Sequence, residues 1–323
     1  MQPLPALRLP RIWSVSEMIK VTVNGIPVEV REGATILEAA RAAEIAVPTL
    51  CFLKDLNEVA ACRICVVEVK GLERLVTACN THAADGMEIE TSSARVQAVR
   101  RQNLQLILSG HDCNCLVCAR NGTCQLQTLA KSMNLMEDQP YPTKLAKDGW
   151  DKSLPLVRTD SRCISCLRCV NVCEKTQGLK VWDLLGPGAR TRVGIRGGLR
   201  FEDSGCTLCG ECIERCPVSA LNERDDSPRF RTLLNAAPER LFVQVEPTAD
   251  ASRRARVADA LRRIGVRNFV DAIPSGGARD GNEVYAKVLA PLDAKRACDR
   301  AGLGDLALTV RETDRILALY GMS

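Results

Sequence analysis

The sequence predicts a multidomain α+β chain, several small domains in series stapled by metal rather than packed around one large core. Three observations predict this. The 323 residues include 17 cysteines, gathered in separate groups along the chain. Aromatics are only 3% against 46% apolar residues, so cores must be built from Ala, Val, Leu and Ile, and small domains of that kind need a further staple such as bound metal. The length suits two to four small domains, and strand and helix patterns open the chain as hairpin-then-helix and close it as βαβ.

The cysteines do not read as a secreted disulfide framework. Residues 1–18 carry Pro3, Pro5 and Pro10 with no apolar h-region, so they read as a tail and not as a signal peptide. No run of 18 apolar residues exists, so no transmembrane segment is predicted. Cysteines grouped as C-x2-C without a secretion signal point to metal ligation in a reducing compartment, which makes a cytoplasmic location the expectation. The formal charge of +5 changes once ligating thiolates and clusters are counted. Ligating thiolates are ionised, so a metal-loaded chain moves toward neutral or slightly acidic. No basic run with interleaved aromatics stands out, so no nucleic-acid partner is expected.

Residues 19–92 read as the first domain. Val21, Val23, Val28 and Val30 alternate on either side of Asn24-Gly25, a hairpin signal. Thr35 to Ala43 reads as a helix, with Thr35 as N-cap and Glu38 completing a capping box. Hairpin then helix opens a β-grasp ferredoxin. Cys51, Cys62, Cys65 and Cys79 follow with spacing C-x10-C-x2-C-x13-C. The first gap is longer than the C-x4-C-x2-C of plant-type [2Fe–2S] ferredoxins, but A-A-C-R-I-C-V-V-E-V is still a short loop feeding a strand. These four are the candidate ligands of a [2Fe–2S] cluster, with a zinc site as the alternative.

Residues 93–150 form the second predicted domain. Ser93 to Leu108 reads as an amphipathic helix through Val96, Val99, Leu104, Ile107 and Leu108, and Ser109-Gly110 ends it. H-D-C-N-C-L-V-C-A-R-N-G-T-C-Q-L-Q follows, with His111, Cys115, Cys118 and Cys124 spaced H-x3-C-x2-C-x5-C. His82 reads as an ordinary structural or surface residue. Cys113 is an extra cysteine inside the motif and reads as a free thiol. A shift that recruits it in place of Cys115 would leave C-x4-C to Cys118. Residues 131–158 read as an irregular connector.

Residues 151–223 hold the strongest signal, C-I-S-C-L-R-C-V-N-V-C at 163–173 and C-T-L-C-G-E-C-I-E-R-C-P at 206–217. Each is C-x2-C-x2-C-x3-C, the spacing of a bacterial-type ferredoxin with two [4Fe–4S] clusters, in which the fourth cysteine of each run serves the other cluster. Cys163, Cys166 and Cys169 are therefore expected with Cys216, and Cys206, Cys209 and Cys212 with Cys173. Only the second run keeps the usual following proline, Pro217. The insert 174–205 shows G-P-G and G-G turns.

Residues 222–239 look charged and loop-like, and 238–323 read as a small α/β domain. Its expected elements are strand Leu241–Val245, helix Ala251–Ile264, strand Asn268–Ile273, loop Pro274–Asp280, strand Val284–Leu289, short strand Leu306–Leu308 and helix Thr309–Tyr320. No G-x-G-x-x-G is present, so NAD or flavin binding of that kind is not expected. No Ser-His-Asp arrangement, H-E-x-x-H or P-loop is seen either.

The Cys51–Cys79 spacing and the His111–Cys124 motif, down to the C-x-L-Q after its last cysteine, resemble the large iron–sulfur subunit of respiratory complex I and the iron-only hydrogenases. That resemblance implies a His-ligated [4Fe–4S] cluster at His111, Cys115, Cys118 and Cys124. The insert between the cysteine runs is similar to that of the hydrogenase-like family. V-Q-V-E-P at 243–247, V-A-D-A-L-R-R-I-G-V at 257–266 and L-T-V-R-E-T-D-R-I-L at 308–317 resemble segments of the hydrogenase catalytic domain. Cys298 is the single cysteine after Cys216, too few thiolates for a catalytic cluster, so a shortened hydrogenase-like domain without that cluster is expected and Cys298 reads as an ordinary thiol. The resemblance implies an electron-transfer subunit of an NAD(P)-linked, in some members electron-bifurcating, oxidoreductase. Its implied partners are a flavin/NAD(P)-binding subunit, a small [2Fe–2S] thioredoxin-like subunit and a further redox subunit. The alternatives are a self-contained hydrogenase, a redox sensor and a zinc scaffold.

Overall fold

The computed structural model describes residues 18–135, 141, 145–246, 250–271, 284–290, 295 and 306–319. The tail before Met18, the expected loop Pro274–Asp280 and Cys298 lie outside the described residues, as does part of the connector after 135. The chain forms two compact units, residues 1–146 with 162–171, and residues 147–161 with 172–323. Among the described residues no helix is long and apolar enough to cross a membrane.

In the first unit, β1 (Met18–Val23) and β2 (Ile26–Arg31) pair antiparallel. Asn24 and Gly25 join them with φ of 49° and 81°, the two left-handed residues a tight hairpin turn needs. Period-two alternation buries Val21, Val23 and Val30. The helix α1 (Ile36–Ala42) starts in the expected capping box: Thr35 Oγ1 accepts from the Glu38 N–H at 3.2 Å, and Glu38 accepts from the Thr35 N–H at 2.9 Å. Strands β3 (Val66–Val69), β4 (Val76–Thr77) and β5 (Glu88–Glu90) complete a sheet of order β2-β1-β5-β3-β4, with β5 parallel to β1. Ile36, Leu37, Ala39 and Ala40 pack with Val21, Val23, Val67 and Ile89 into one core that also contains Cys65 and Cys79.

Beyond the sheet, α2 (Ala94–Ser109) begins where Ser93 Oγ accepts from the Val96 N–H and stops at Gly110. Val96, Leu104 and Leu108 lie on its buried face as the periodicity predicts, but Arg100 is buried there too. The helix α3 (Gln125–Ser132) starts directly after Cys124.

In the second unit, β6 (Leu156–Arg158) pairs antiparallel with β9 (Leu221–Glu223), on either side of the cysteine runs in sequence. The runs feed two helices, α4 (Arg168–Gln177) and α5 (Glu211–Glu214). The insert is more ordered than its turns suggest: β7 (Trp182–Leu185) and β8 (Arg192–Ile195) form an antiparallel hairpin. Gly186 opens its connection at φ +81°, where an added Cβ would lie 2.8 Å from the Arg190 carbonyl oxygen.

The loop reading of 222–239 is corrected by α6 (Ser227–Ala236). Pro228 sits in its first turn, where a missing N–H costs nothing. Phe230 and Leu234, one turn apart, are both buried in the C-terminal core. That core lies between helices and a parallel sheet of order β11-β10-β12-β13, built from β10 (Leu241–Val245), α7 (Ala251–Arg263), β11 (Asn268–Phe269), β12 (Val284–Ala290), β13 (Leu306–Thr309) and α8 (Val310–Leu319). The βαβ expectation for this region holds in β10, α7 and β11.

Candidate metal centres

The first cysteine group is folded as two pairs. Cys51, Cys62, Cys65 and Cys79 are all buried. The Cys51 thiol donates a hydrogen bond to the Cys62 sulfur, which pushes Cys51 up and, together with backbone N–H groups of Ile64, Cys51 and Leu50, brings Cys62 down to about 6. Cys79 bonds Cys65 in the same way, raising Cys79 and lowering Cys65. Two pairs suit two tetrahedral irons better than one ion. Ala60 and Arg63 are left-handed at φ 53° and 52°, and Arg63 directly precedes Ile64, whose N–H bonds the Cys62 sulfur. Such donors stabilise added negative charge.

The long first gap has a use the spacing does not reveal. It carries Asn57, fully buried, whose Nδ2 donates to the carbonyls of Cys51 (2.8 Å) and Cys166 (3.0 Å). Asn171 donates to Asn57 Oδ1. Arg168, buried between Cys166 and Cys169 in sequence, donates from Nε to the Cys51 carbonyl (3.1 Å) and from a terminal nitrogen to the Phe52 carbonyl (3.2 Å) and Gln125 Oε1 (3.1 Å). Gln125 directly follows Cys124. These side chains tie three cysteine motifs of the first unit together. Sequence reasoning missed Asn57, Arg100 and Arg168; the one signal was a charged residue inside a cysteine run.

At the second group, α2 delivers His111: the His111 N–H bonds the Leu108 carbonyl at 3.1 Å. The ring is buried, 7% exposed, and burial pushes its pKa down, favouring the neutral form. Nδ1 lies 3.0 Å from the Arg162 carbonyl. A carbonyl only accepts, so Nδ1 carries the proton and Nε2 keeps its lone pair, the arrangement common to ligating histidines. Cys115 opens a short 3-10 turn and Cys124 stands at the start of α3. Burial and the nearby sulfurs of Cys118 and Cys124 raise Cys115. The Cys113 residue is exposed and its Sγ turns back to the His111 carbonyl (3.4 Å). His82 lies elsewhere, its ring against the Gly33 carbonyl (2.8 Å), which fits the ordinary reading.

The two runs share one backbone design. Ser165 and Leu167 have φ of 51° and 64°, and Leu208 and Gly210, at the same offsets from Cys206, have 58° and 80°. Alternating handedness of this kind aims successive N–H groups at one centre, and the Leu208 N–H reaches Cys206 Sγ at 3.4 Å. Cys173, Cys206, Cys209 and Cys212 line a single small cavity with Leu156, Val181 and Trp182. The Val181 N–H donates to Cys173 Sγ at 3.4 Å. Burial pushes Cys212 up to about 12, partly offset by a hydrogen bond from Trp182. Trp182 comes from the insert hairpin and packs on Trp150 at 5.8 Å, so the insert walls this cavity. In the first unit Cys166 and Cys169 are buried and Cys163 is half-buried, and Cys216 is buried in the second. Among the described residues no three Cys, His, Asp or Glu side chains converge as closely as a single ion requires.

Comparison with known proteins agrees with this layout. Residues 16–94 match a 2Fe-2S iron-sulfur cluster binding domain, residues 100–139 the NADH-ubiquinone oxidoreductase-G iron-sulfur binding region, and residues 162–220 a 4Fe-4S dicluster domain. Proteins similar to the chain over these regions include complex I large iron–sulfur subunits and an iron hydrogenase. The chain is 34% identical over 271 residues to the NADP-reducing hydrogenase subunit HndD of Solidesulfovibrio fructosivorans, covering 79% of this chain and 46% of that protein. It is 33% identical over 209 residues to the NADH-ubiquinone oxidoreductase 75 kDa subunit of Reclinomonas americana, covering 64% of this chain and 30% of that one. A chain of the crystal structure of an NAD+-reducing [NiFe]-hydrogenase in the H2-reduced state superposes with a TM-score of 0.59 at 28% identity, covering 64% of this chain and 87% of that one. The chain thus spans less than half the length of these two curated relatives. It carries one 2Fe-2S domain and 4Fe-4S domains.

Proposed function

We propose that this chain is the electron-relay subunit of an NAD(P)-linked oxidoreductase. Bound clusters would accept and pass single electrons. The residues that would hold them are Cys51, Cys62, Cys65 and Cys79 for one [2Fe–2S] cluster, and His111, Cys115, Cys118 and Cys124 for a His-ligated [4Fe–4S] cluster. Cys163, Cys166 and Cys169 with Cys216, and Cys206, Cys209 and Cys212 with Cys173, would hold two more. The observation that carries the reading is the shared cavity of Cys173, Cys206, Cys209 and Cys212, since it unites a distant fourth cysteine with three from the other run. The partners are a flavin/NAD(P)-binding subunit, a small [2Fe–2S] thioredoxin-like subunit and a further redox subunit in a cytoplasmic complex.

Residues 238–323 are a hydrogenase-like domain whose one cysteine, Cys298, is too few to hold a cluster within this stretch. The match to the hydrogenase subunit over 79% of this chain supports that reading. In this role the domain serves as a docking surface.

Anaerobic purification of the native complex tests the proposal. Roughly fourteen irons per chain, [2Fe–2S] and [4Fe–4S] signals by EPR, and a co-purifying flavoprotein that reduces them with NAD(P)H are the expected results. A colourless protein with about four zincs would sink the cluster assignment. Hydrogen evolution by the isolated chain would overturn the relay role.

A further inference from the structure

Among the described residues, Arg100 is a buried cation without a carboxylate partner. It lies on α2 at 4% exposure. Its hydrogen bond runs to the Val66 carbonyl, at 2.7 Å from a terminal guanidinium nitrogen. Its Nε is buried with no partner. Burial disfavours its charge, and the charge that offsets this belongs to the Cys65 sulfur. A guanidinium does not give up its proton in a protein, and a desolvated one is costly unless an anion faces it. Val66 directly follows Cys65, so Arg100 meets the cysteine loop from the side of β3.

We propose that Arg100 is the counter-charge of the [2Fe–2S] cluster on Cys51, Cys62, Cys65 and Cys79 and holds its reduction potential up. The inference rests on those four cysteines being the ligands. With four thiolates, such a cluster carries formally about −2 when oxidised and about −3 after one electron. Reduction adds one electron from a neighbouring one-electron donor, and no bond breaks. A fixed positive charge in a poorly solvated site favours the more negative state, and water screens it little there. The Arg100 Nε is a further buried donor with no protein partner. The same helix ends at His111, so α2 both sets the charge at the first centre and positions a ligand of the second.

The test uses the full chain, purified anaerobically, with iron and labile sulfide counted. A dithionite titration is followed by the [2Fe–2S] EPR signal. Arg100→Gln keeps a donor for the Val66 carbonyl but removes the charge. It lowers the reduction equilibrium constant at least tenfold, a fall of about 59 mV for one electron. Arg100→Lys keeps the charge and holds the midpoint near that of the unaltered chain. An unchanged midpoint in Arg100→Gln with iron retained overturns the proposal, as does an equal fall in Arg100→Lys. If Arg100→Gln sheds its cluster, Arg100→Lys decides alone: a held midpoint supports the counter-charge, a fallen one overturns it. Absence of the [2Fe–2S] signal from the unaltered chain would instead refute the ligand assignment.

Discussion

His111 uses Nδ1 on the Arg162 carbonyl and so leaves Nε2 as the ring's lone pair. As a cluster ligand, a neutral imidazole would leave the proposed cluster one unit less negative than a fourth thiolate would, and so raise its potential. His111→Cys should therefore keep iron content and lower the midpoint of one [4Fe–4S] signal; no shift in any such signal would remove His111 from the ligand set. Cys113→Ser should leave iron unchanged, because that thiol is spent on the His111 carbonyl. His111 was legible because three cysteines stand at ligand offsets from it. Asn57, Arg100 and Arg168 were not, because their partners are mostly backbone carbonyls far away in sequence, and a carbonyl leaves no mark on residue type.

The capping box of α1 was legible down to both residues, since its bonds span only three positions. Thr35→Ala should lower stability by about 1 kcal/mol, read as a drop in the apparent unfolding midpoint of the iron-loaded chain. Glu38 adds a pH dependence of known sign. Its bond to Lys54 at 2.8 Å, with the Thr35 N–H, holds its carboxyl down at about 2. Its contribution is thus complete above the ordinary glutamate value of about 4.3 and is lost as pH falls toward 2. Glu38→Gln should flatten stability across that window; an unchanged acid limb would show that the bond contributes nothing. The helix α6 was misread because its segment is rich in charge and only Phe230 and Leu234 mark its buried face. Two apolar residues one turn apart become decisive only when a sheet lies beneath them.

The C-terminal sheet retains one costly feature. Lys295 is fully buried and bonds Asp226 (2.7 Å), Glu312 (2.8 Å) and the Ala307 carbonyl (2.7 Å). Glu312 also accepts from the N–H groups of Asp226 (2.6 Å) and Thr309 (2.8 Å). This triad joins residues 226, 295 and 312, so it links the start of α6 to α8. Lys295→Met leaves the buried Glu312 without its cation, while Asp226 keeps Arg224 at 2.9 Å, and should cost about 3–5 kcal/mol, seen as early thermal unfolding of the second unit with iron content intact. Full thermal stability in that variant would show the triad to be dispensable.

The sequence alone determined the candidate ligands, their grouping and the order of the cysteine motifs, because cluster chemistry constrains cysteine spacing directly. It also determined the hairpin, α1, α2 and the parallel C-terminal pattern, whose signals are local. Only the tertiary structure decided which polar side chains surround those ligands. It placed Arg100 at Cys65, Asn57 and Arg168 on the Cys51 loop, and Trp182 at Cys212. It also decided that Lys295 is buried among acids. These contacts join residues tens of positions apart through backbone carbonyls, single sulfurs and buried charge, and no spacing rule links such partners before the chain is folded.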